Sequence, residues 1–293
     1  MIIAFIGFGE AARAFHETLH AQNPALNFIA YDILLDDGET APAMRMAMEQ
    51  RGVEVAANSA GLSGADWIVS AVTADQSLVA VEAIVPHLEA GRIVIDINSV
   101  SPGRKRESDA LVTRKGSTYI DMAVMAPVHP RGHRTPVLVA GAVTSGLREA
   151  FDGLDFSWRL VGEEVGRATA IKMVRSLFVK GLEAITVEAL LAAQASGCFD
   201  EILASLSSSF SGLGWPEFAN YEFERTLKHG KRRAAEMRES AATVTALGLN
   251  GRLADEIANI QDGMGGLDAP VPDGDLGAVI AAILEARLKS GAA

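Results

Sequence analysis

Residues 2–12 carry the strongest fold signal in the chain and read Ile2-Ile3-Ala4-Phe5-Ile6-Gly7-Phe8-Gly9-Glu10-Ala11-Ala12. The first five are apolar without alternation, which is typical of a strand covered on both faces of a parallel sheet. Two glycines then interrupt the run, and an amphipathic helical pattern follows over residues 10–21. The segment therefore predicts a strand, a tight turn and a helix in direct succession.

The spacing of the small residues in this turn is typical of a dinucleotide site. Gly7 permits the tight turn, Gly9 lets the backbone approach a pyrophosphate, and Ala12 allows close helix–strand packing. Amide groups at the helix start then face the phosphates. The second predicted strand ends at Asp32, 20 residues after Ala12, where a carboxylate can bind ribose hydroxyls. The residues predicted to contact the dinucleotide are Gly7, Phe8, Gly9, Glu10, Ala11, Ala12 and Asp32. The alternative is that the glycines only make a turn and Asp32 is a solvated strand end.

Asp32 also bears on which nicotinamide cofactor is bound. A carboxylate about 4 Å from a phosphate meets about 4 kcal/mol of repulsion per charge pair near a protein surface. The residues that follow include no arginine that could accept a 2′-phosphate; they are Ile33, Leu34, Leu35 and Asp36. The sequence therefore favours NAD over NADP.

Short β-rich runs alternate with helical patterns through the first half of the chain. The predicted strands are residues 2–6, 28–32, 53–56, 67–72, 93–97, 118–124, 136–140 and 158–161, and the predicted helices are 10–21, 42–51, 74–88 and 102–114. This β-α-β order predicts a doubly wound, mostly parallel sheet, an α/β fold of the Rossmann type.

After Gly162 the β pattern stops. Residues 163–196 predict one long helix, and further helices are predicted at 200–208, 216–229, 231–247, 252–264 and 276–288. We therefore predict a Rossmann nucleotide-binding domain over residues 1–162 and an all-α domain for substrate binding and dimerisation over residues 163–293.

Composition limits the classes of partner. The net charge of −11 would repel nucleic acid and an anionic membrane surface, so we expect neither as a partner. Cys198 is the only cysteine, which excludes an internal disulfide and a cysteine-rich zinc site, and no His/Asp/Glu spacing predicts another metal site. The apolar start is too short for a signal peptide, and no run is long enough to span a membrane, so we expect a cytoplasmic protein.

Residues 162–172 lead from the last predicted strand into the long helix and read Gly162-Glu163-Glu164-Val165-Gly166-Arg167-Ala168-Thr169-Ala170-Ile171-Lys172. Lys172, Ser176 and Lys180 recur at four-residue spacing and so share one helical face. The helix dipole and burial disfavour a charged ammonium near the helix start. Such a lysine suits the proton transfer that accompanies hydride transfer. A solvated lysine on a long helix is the alternative.

Four segments resemble the β-hydroxyacid dehydrogenase superfamily, the group of 3-hydroxyisobutyrate and 6-phosphogluconate dehydrogenases. They are the glycine turn at 7–12, the segment Asp96-Ile97-Asn98-Ser99-Val100-Ser101-Pro102, the segment from Asp121 to Val128, and the segment from Gly162 to Ser176. The resemblance implies that Lys172 is the catalytic acid/base. It implies that Asn98 and Ser99 lie beside substrate and nicotinamide, that Val72 and Thr73 lie under the cofactor, and that Ala123 and Val124 contact substrate.

The chain departs from the family pattern in three places. Ser176 stands where the family usually has asparagine. The small loop that cradles a substrate carboxylate is replaced by a basic segment with His129 and Arg131, which indicates a different or larger anionic substrate, or else a solvated loop. The helical half is similar to a divergent phosphogluconate-dehydrogenase-like subgroup. Cationic residues around His229 there could clamp a carboxylate or form a solvated helix face.

These features favour NAD-dependent oxidation of a small β-hydroxy acid or sugar acid, with decarboxylation or isomerisation as optional later steps. One alternative is an imine or ketone reductase of the same fold, although Lys172 weighs against it. The other is a catalytically silent nucleotide-binding sensor. Because the long helix is apolar around much of its circumference, we expect a homodimer through the helical domain.

Overall fold

The computed structural model describes residues 1–269 and 275–290. The chain divides into two compact units, Met1–Lys172 and Met173–Ala293. This division falls ten residues after the predicted boundary at 162. The first turn of the long helix belongs to the first unit because it is hydrogen-bonded to residues of that unit. The Thr169 hydroxyl, for example, donates to the Val100 carbonyl.

The first unit is built on one eight-stranded sheet, which confirms the predicted α/β fold. Its strands are β1 (Ile2–Ile6), β2 (Asn27–Tyr31), β3 (Glu54–Val55), β4 (Trp67–Ser70), β5 (Ile93–Asp96), β6 (Thr118–Val124), β7 (Val137–Gly141) and β8 (Trp158–Gly162), in the order β3-β2-β1-β4-β5-β6-β7-β8. All neighbours are parallel except the β6–β7 pair. The strand order therefore reverses at β1, between β2 and β4.

Helices cover both faces of the sheet. They are α1 (Glu10–Gln22), α2 (Ala41–Glu49), α3 (Ser77–Ile84), α4 (Pro102–Thr113) and α5 (Ser145–Gly153). One core forms around Phe5 and Phe15, and the other around Ile68 and Val81. Buried apolar surface on each side of the strands explains why β1 and β5 read as continuous apolar runs.

Two helices of this unit differ from the predictions. The helix predicted over residues 74–88 is α over Ser77–Ile84 only, with 3₁₀ turns before it and after it. Pro86 lacks the amide hydrogen that an α-helix would need there. Helix α5 was not predicted, although Thr144 accepts a hydrogen bond from the Leu147 amide, and Leu147 and Phe151 are buried one turn apart.

The second unit is helical in the residues that the structure describes. Its helices are α6 (Arg167–Ala195), which begins in the first unit, α7 (Phe199–Ser209), α8 (Glu217–Ala246), α9 (Arg252–Met264) and α10 (Leu276–Ser290). Its main core contains Val187, Phe223 and Ile280. This agrees with the predicted all-α second half.

The prediction of two helices at 216–229 and 231–247 is wrong, because α8 runs through Gly230 without a break. A Cβ at Gly230 would lie 2.1 Å from the Gln261 carbonyl oxygen and 2.7 Å from the Gly265 amide nitrogen. The glycine therefore permits α8 and α9 to approach closely, and it does not end a helix. Among residues 1–269 and 275–290, no helix is both long and apolar enough to cross a membrane.

Candidate active site

The predicted site residues of the first unit lie at the carboxyl ends of its parallel strands. Gly7 follows β1, Val72 follows β4, Asn98 follows β5 and Val124 ends β6. In open α/β sheets, ligands bind at this edge, where the strand order reverses. The sheet topology therefore gathers four segments that are distant in sequence along one edge.

The glycine turn has the geometry that a pyrophosphate needs. Gly7 has a φ of +81°, and a Cβ there would lie 2.5 Å from the Ala71 carbonyl oxygen. A Cβ added at Gly9 would meet no atom within 4 Å among the described residues, so its backbone borders open space. Ala12 is fully buried, and Gly9 at the N-cap of α1 brings no capping side chain. The turn therefore fits a bound dinucleotide.

Asp32 lies beside this turn and also holds it in place. Its Oδ2 accepts a 2.7 Å hydrogen bond from the Phe8 amide, and its Oδ1 accepts one of 3.0 Å from the Leu34 amide. The Phe8 side chain is buried in the core, so Phe8 contributes to the turn through its backbone. Each carboxylate oxygen keeps a lone pair that could accept from a ribose hydroxyl.

Asn98 is buried and tied to the end of β4. Its Oδ1 accepts from the Val72 amide at 2.7 Å, and its Nδ2 donates to Ser70 Oγ at 2.9 Å and to Ser77 Oγ at 3.3 Å. The side chain therefore fixes the backbone at Val72 and the adjoining Thr73. This structural role was not predicted, and it explains why an amide is needed there: the side chain must donate and accept at once.

Lys172 and Ser99 meet, although 73 residues separate them. Lys172 Nζ donates a hydrogen bond of 2.5 Å to Ser99 Oγ, and both side chains are partly buried. Three residues before Lys172 on α6, the Thr169 hydroxyl donates to the Val100 carbonyl at 2.7 Å. A lysine amine beside a hydroxyl at the edge of the sheet can donate or accept a proton at a substrate oxygen.

A buried ion cluster around Lys105 was not predicted. Lys105 is 0% exposed, and its Nζ donates to the Asp96 carbonyl oxygen at 2.7 Å. The same Nζ lies 2.9 Å from Asp96 Oδ1 and 3.6 Å from Asp121 Oδ1. The Tyr119 hydroxyl donates to Asp96 Oδ2 at 2.5 Å. A charged pattern in α4 normally indicates a solvated face, so the sequence offered no signal that Lys105 points inward.

Burial and neighbouring charges shift the pKa values of two groups in this cluster. Burial raises the pKa of Asp121, and the Lys105 ammonium and the amides of Thr169 and Gly166 oppose that rise. Burial, with the neighbouring Asp96 charge, raises the pKa of Tyr119 well above its ordinary value. One cation thus stands between two buried carboxylates, and the start of α6 supplies further positive potential.

The residues at the end of β6 and in the loop after it have different surroundings. Ala123 is buried in a small cluster with Leu138 and Ala168, so its side chain packs α6 on the sheet, whereas Val124 is partly exposed. His129 and Arg131 are exposed. His133 is buried and its ring nitrogens bond to Thr18 Oγ1 at 2.7 Å and the Leu154 carbonyl at 2.8 Å. Part of the basic segment therefore anchors the loop.

The remaining predicted residues lie in the second unit. Ser176 is buried on α6, and His229 is partly buried on α8. Two ion pairs missed by the sequence analysis join these helices: Lys180 with Glu236 at 2.5 Å, and Arg233 with Glu183, which also accepts from Gln261 Nε2 at 2.7 Å. Burial lowers the pKa of Lys180, and the Glu236 carboxylate opposes that effect.

Two family models match parts of the chain. Residues 2–99 match the model described as NADP oxidoreductase, coenzyme F420-dependent, and residues 193–264 match a domain of unknown function, DUF1932. The first match contains the glycine turn, Asp32 and the segment with Asn98 and Ser99. The second contains helices α7, α8 and α9.

Solved structures extend the similarity over the full length. The chain is 35% identical to a conserved hypothetical protein from Sinorhizobium meliloti 1021, with 98% of this chain and 96% of that chain covered and a TM-score of 0.75. A conserved protein of unknown function, whose structure revealed similarity with 3-hydroxyacid dehydrogenases, is 25% identical. That match covers 89% of this chain and 99% of the relative, with a TM-score of 0.66.

More distant structures share the fold. The 3-hydroxyisobutyrate dehydrogenase of Mycobacterium tuberculosis, solved with L-serine, is 17% identical, with 97% and 98% of the two chains covered and a TM-score of 0.70. An imine reductase from Streptomyces aurantiacus is also 17% identical, with 99% of each chain covered and a TM-score of 0.55. At these identities the likeness concerns the fold alone.

Proposed function

Because the chain belongs to the β-hydroxyacid dehydrogenase superfamily, we propose that it oxidises a small β-hydroxy acid or sugar acid with NAD. One observation carries the proposal. Lys172 Nζ contacts Ser99 Oγ at the same sheet edge as the Gly7–Gly9 turn. A proton acceptor and a dinucleotide turn are the two parts that alcohol oxidation requires.

In the proposed reaction, Lys172 handles the proton and Ser99 orients the substrate. A neutral Lys172 amine takes the proton of the substrate hydroxyl, and the O–H electron pair forms the new C=O bond. Bound NAD supplies a nicotinamide ring that accepts the hydride released from the same carbon. Ser99 Oγ, held beside Nζ, donates a hydrogen bond to the substrate oxygen and so directs that oxygen toward the lysine.

Three features support NAD as the cofactor. Asp32 accepts a hydrogen bond from the Phe8 amide of the turn and would repel a 2′-phosphate. The residues that follow it bring no basic side chain, since Ile33 and Leu34 are exposed apolar residues. Asp36 adds a second carboxylate nearby, where it accepts a hydrogen bond from the Tyr31 hydroxyl.

On the substrate side, we propose that exposed His129 and Arg131 of the first unit bind the anionic group. Ser176 and His229 of the second unit stay predicted substrate contacts. The Arg131 guanidinium would attract an anionic substrate locally, although the whole chain has a net charge of −11. If the oxidised product is a β-keto acid, decarboxylation or isomerisation could follow. Measurement of carbon dioxide release alongside cofactor reduction distinguishes these outcomes from simple oxidation.

A homodimer is part of the same proposal. Four apolar side chains along one side of α6 are exposed: Ile171, Val174, Phe178 and Ile185. Their spacing of three, four and seven residues places them on one helical face. A continuous apolar face of this kind is typical of an interface, and we propose that a second copy of the chain covers it.

Two competing functions predict different results. An imine or ketone reductase shares this fold, and its activity would appear as NADH or NADPH oxidation with a substrate that lacks a carboxylate. A nucleotide-binding sensor would bind NAD tightly and turn over no substrate. The contact of Lys172 with Ser99 favours an oxidoreductase over a sensor, because hydride transfer to or from a carbonyl carbon requires a proton donor or acceptor, and nucleotide binding alone does not.

The first experiment is an initial-rate screen that follows nicotinamide absorbance. Wild type, Lys172→Ala and Lys115→Ala are assayed with branched hydroxy acids, aldonates and other sugar acids, each with NAD and NADP. Lys115 is an exposed lysine of the first unit and serves as the matched control. We expect a substrate that reduces NAD, with a loss of on the order of 100- to 10,000-fold in Lys172→Ala and none in Lys115→Ala.

Equal rates in wild type and Lys172→Ala would remove the lysine from the mechanism. Faster turnover with NADP would reject NAD as the preferred cofactor. Absence of turnover over the whole panel, despite measurable NAD binding, would favour the sensor.

A further inference from the structure

Asp121 lies on β6, is fully buried, and has an acceptor role at the start of α6. Its Oδ2 accepts hydrogen bonds from the Gly166 and Thr169 amides, both at 3.1 Å. The first amides of a helix have no acceptor within the helix, and the helix dipole favours negative charge there. Asp121 therefore caps α6 from a strand that is 45 residues distant in sequence.

A second connection joins the same turn to the segment that carries Ser99. The Thr169 hydroxyl donates to the carbonyl of Val100, the residue after Ser99. Lys172 lies three residues after Thr169, so the two side chains share one face of α6. The position of the Lys172 backbone relative to Ser99 is thus determined by contacts at Thr169.

Lys105 completes the connection between the two segments. Its ammonium contacts Asp121 and Asp96, and Asp96 Oδ1 in turn accepts a 2.8 Å hydrogen bond from the Asn98 amide. The start of α6, strand β6 and the segment after β5 are therefore joined through buried, charge-assisted contacts. The Lys105 contacts with Asp96, at 2.7 and 2.9 Å, are short and directional, whereas the Lys105–Asp121 pair at 3.6 Å is held by charge attraction.

We propose that Asp121 is a positioning residue for the reaction, which anchors the first turn of α6 so that Lys172 Nζ is held beside Ser99. This inference rests on the proposed role of Lys172 as acid/base. Asp121 acts through the helix, and its partner Lys105 links that anchor to the Ser99 segment. A displacement of about 1 Å at a reacting group can lower the rate by on the order of 100-fold.

The kinetic test compares Asp121→Ala with Asp121→Asn in the full-length protein. Asparagine keeps one acceptor oxygen for the Gly166 and Thr169 amides, and alanine keeps none. We expect kcat to fall by roughly 10- to 100-fold in Asp121→Ala and to recover most of that loss in Asp121→Asn. We expect the dissociation constant of NAD to change far less than kcat in both, because the glycine turn is held by Asp32 on the other side of β1.

Thr144→Ala is the matched control. Thr144 caps α5 through a hydrogen bond from the Leu147 amide, and α5 carries none of the proposed site residues. We expect this variant to lose stability without any change in kcat. If folded Asp121→Ala retains the kcat of wild type, as Thr144→Ala is expected to do, the positioning role is overturned.

A spectroscopic test does not depend on the substrate. The ¹³Cε resonance of Lys172 in lysine-labelled protein is assigned through Lys172→Arg and followed against pH. We expect its titration curve to shift in Asp121→Ala and to return toward wild type in Asp121→Asn. An unchanged curve in Asp121→Ala overturns the positioning role of Asp121. A shifted curve supports that role even where no hydroxy acid is turned over. The test therefore distinguishes failure of the positioning role from failure of the proposed function.

If Asp121→Ala does not fold, Thr169→Val and Thr169→Ser carry the test. Valine removes the hydroxyl that bonds to the Val100 carbonyl and keeps the shape, whereas serine keeps the hydroxyl. We expect a shifted Lys172 resonance and a several-fold lower kcat for valine only. Identical behaviour of valine, serine and wild type overturns the proposal.

Discussion

At the scale of single residues, His16 shows how burial makes a titratable group sensitive to pH. Its side chain on α1 is 2% exposed, and its ring lies 4.6 Å from that of Phe28, centroid to centroid. Neither ring nitrogen has a hydrogen-bond partner among the described residues. Burial, then the charges of His20 and Arg51, lower the pKa of His16 from 6.5 to about 4. The folded protein therefore keeps this imidazole neutral.

We predict that His16 makes the protein less stable as the pH falls from about 6.5 toward 4. The unfolded chain takes up a proton below pH 6.5, but the folded protein does so only near pH 4. Between pH 7.5 and 5, this difference lowers the free energy of unfolding by about 1–2 kcal/mol. Urea unfolding at the two pH values should show that His16→Leu loses this part of the pH dependence.

Substitution of an exposed histidine provides the control for this prediction. His87 is exposed, so His87→Leu should keep the pH dependence of wild type. A His16→Leu protein whose stability falls between pH 7.5 and 5 as much as that of wild type would contradict the assignment to His16.

At the scale of secondary-structure elements, the contact between α8 and α9 depends on glycines, which have no Cβ. Gly230 and Gly265 face each other, and the nearest obstacles to a Cβ at Gly230 are backbone atoms. Backbone atoms cannot move aside as a flexible side chain can, so the two helix axes would have to separate. Close packing of these helices therefore overrides the low helix propensity of glycine.

We predict that Gly230→Ala destabilises the protein by about 1–3 kcal/mol, because overpacking outweighs the gain of about 1 kcal/mol in helix propensity. Gly146 in α5 is the matched control, since a Cβ there would meet no atom within 4 Å among the described residues. Gly146→Ala should be neutral or stabilising. Urea unfolding of both variants decides the matter: a stabilised Gly230→Ala would show that the two helices are not in close contact.

At the scale of the whole molecule, the exposed apolar face of α6 supports the proposed dimer. Phe178, at its centre, is 74% exposed, and Val174 and Ile185 on the same face are 51% and 66% exposed. Single exposed apolar residues are ordinary, but a row of them along one helix is not. A second copy of the chain could bury such a row by packing the same face against itself.

We predict a dimer at micromolar concentration that Phe178→Glu dissociates, because the substitution would bury two like charges without partners at the centre of the interface. Met46→Glu is the control, since Met46 is an exposed apolar residue on α2 in the other unit. Sedimentation velocity measures both variants. A monomeric wild type, or a dimer that survives Phe178→Glu, would reject this interface.

Sequence alone determined the features of this protein that depend on neighbouring residues. The turn from Gly7 to Ala12, the apolar strands and the long helix that carries Lys172 were predicted because backbone conformation and hydrophobic periodicity are local properties. The position of Asp32 at the end of the second strand followed from the strand pattern, and the assignment of Lys172 and Ser99 to one site followed from the family resemblance.

Only the tertiary structure decided what depends on distant partners. Three such features are the inward direction of Lys105, the cap of Asp121 on α6 and the bond from Thr169 to Val100. Each depends on residues tens of positions apart, and polar side chains of these types are usually expected to be exposed. The unbroken course of α8 through Gly230 depends likewise on α9. Burial changes the free energy of a charged group and decides whether a Cβ has room. Burial itself depends on the assembled fold.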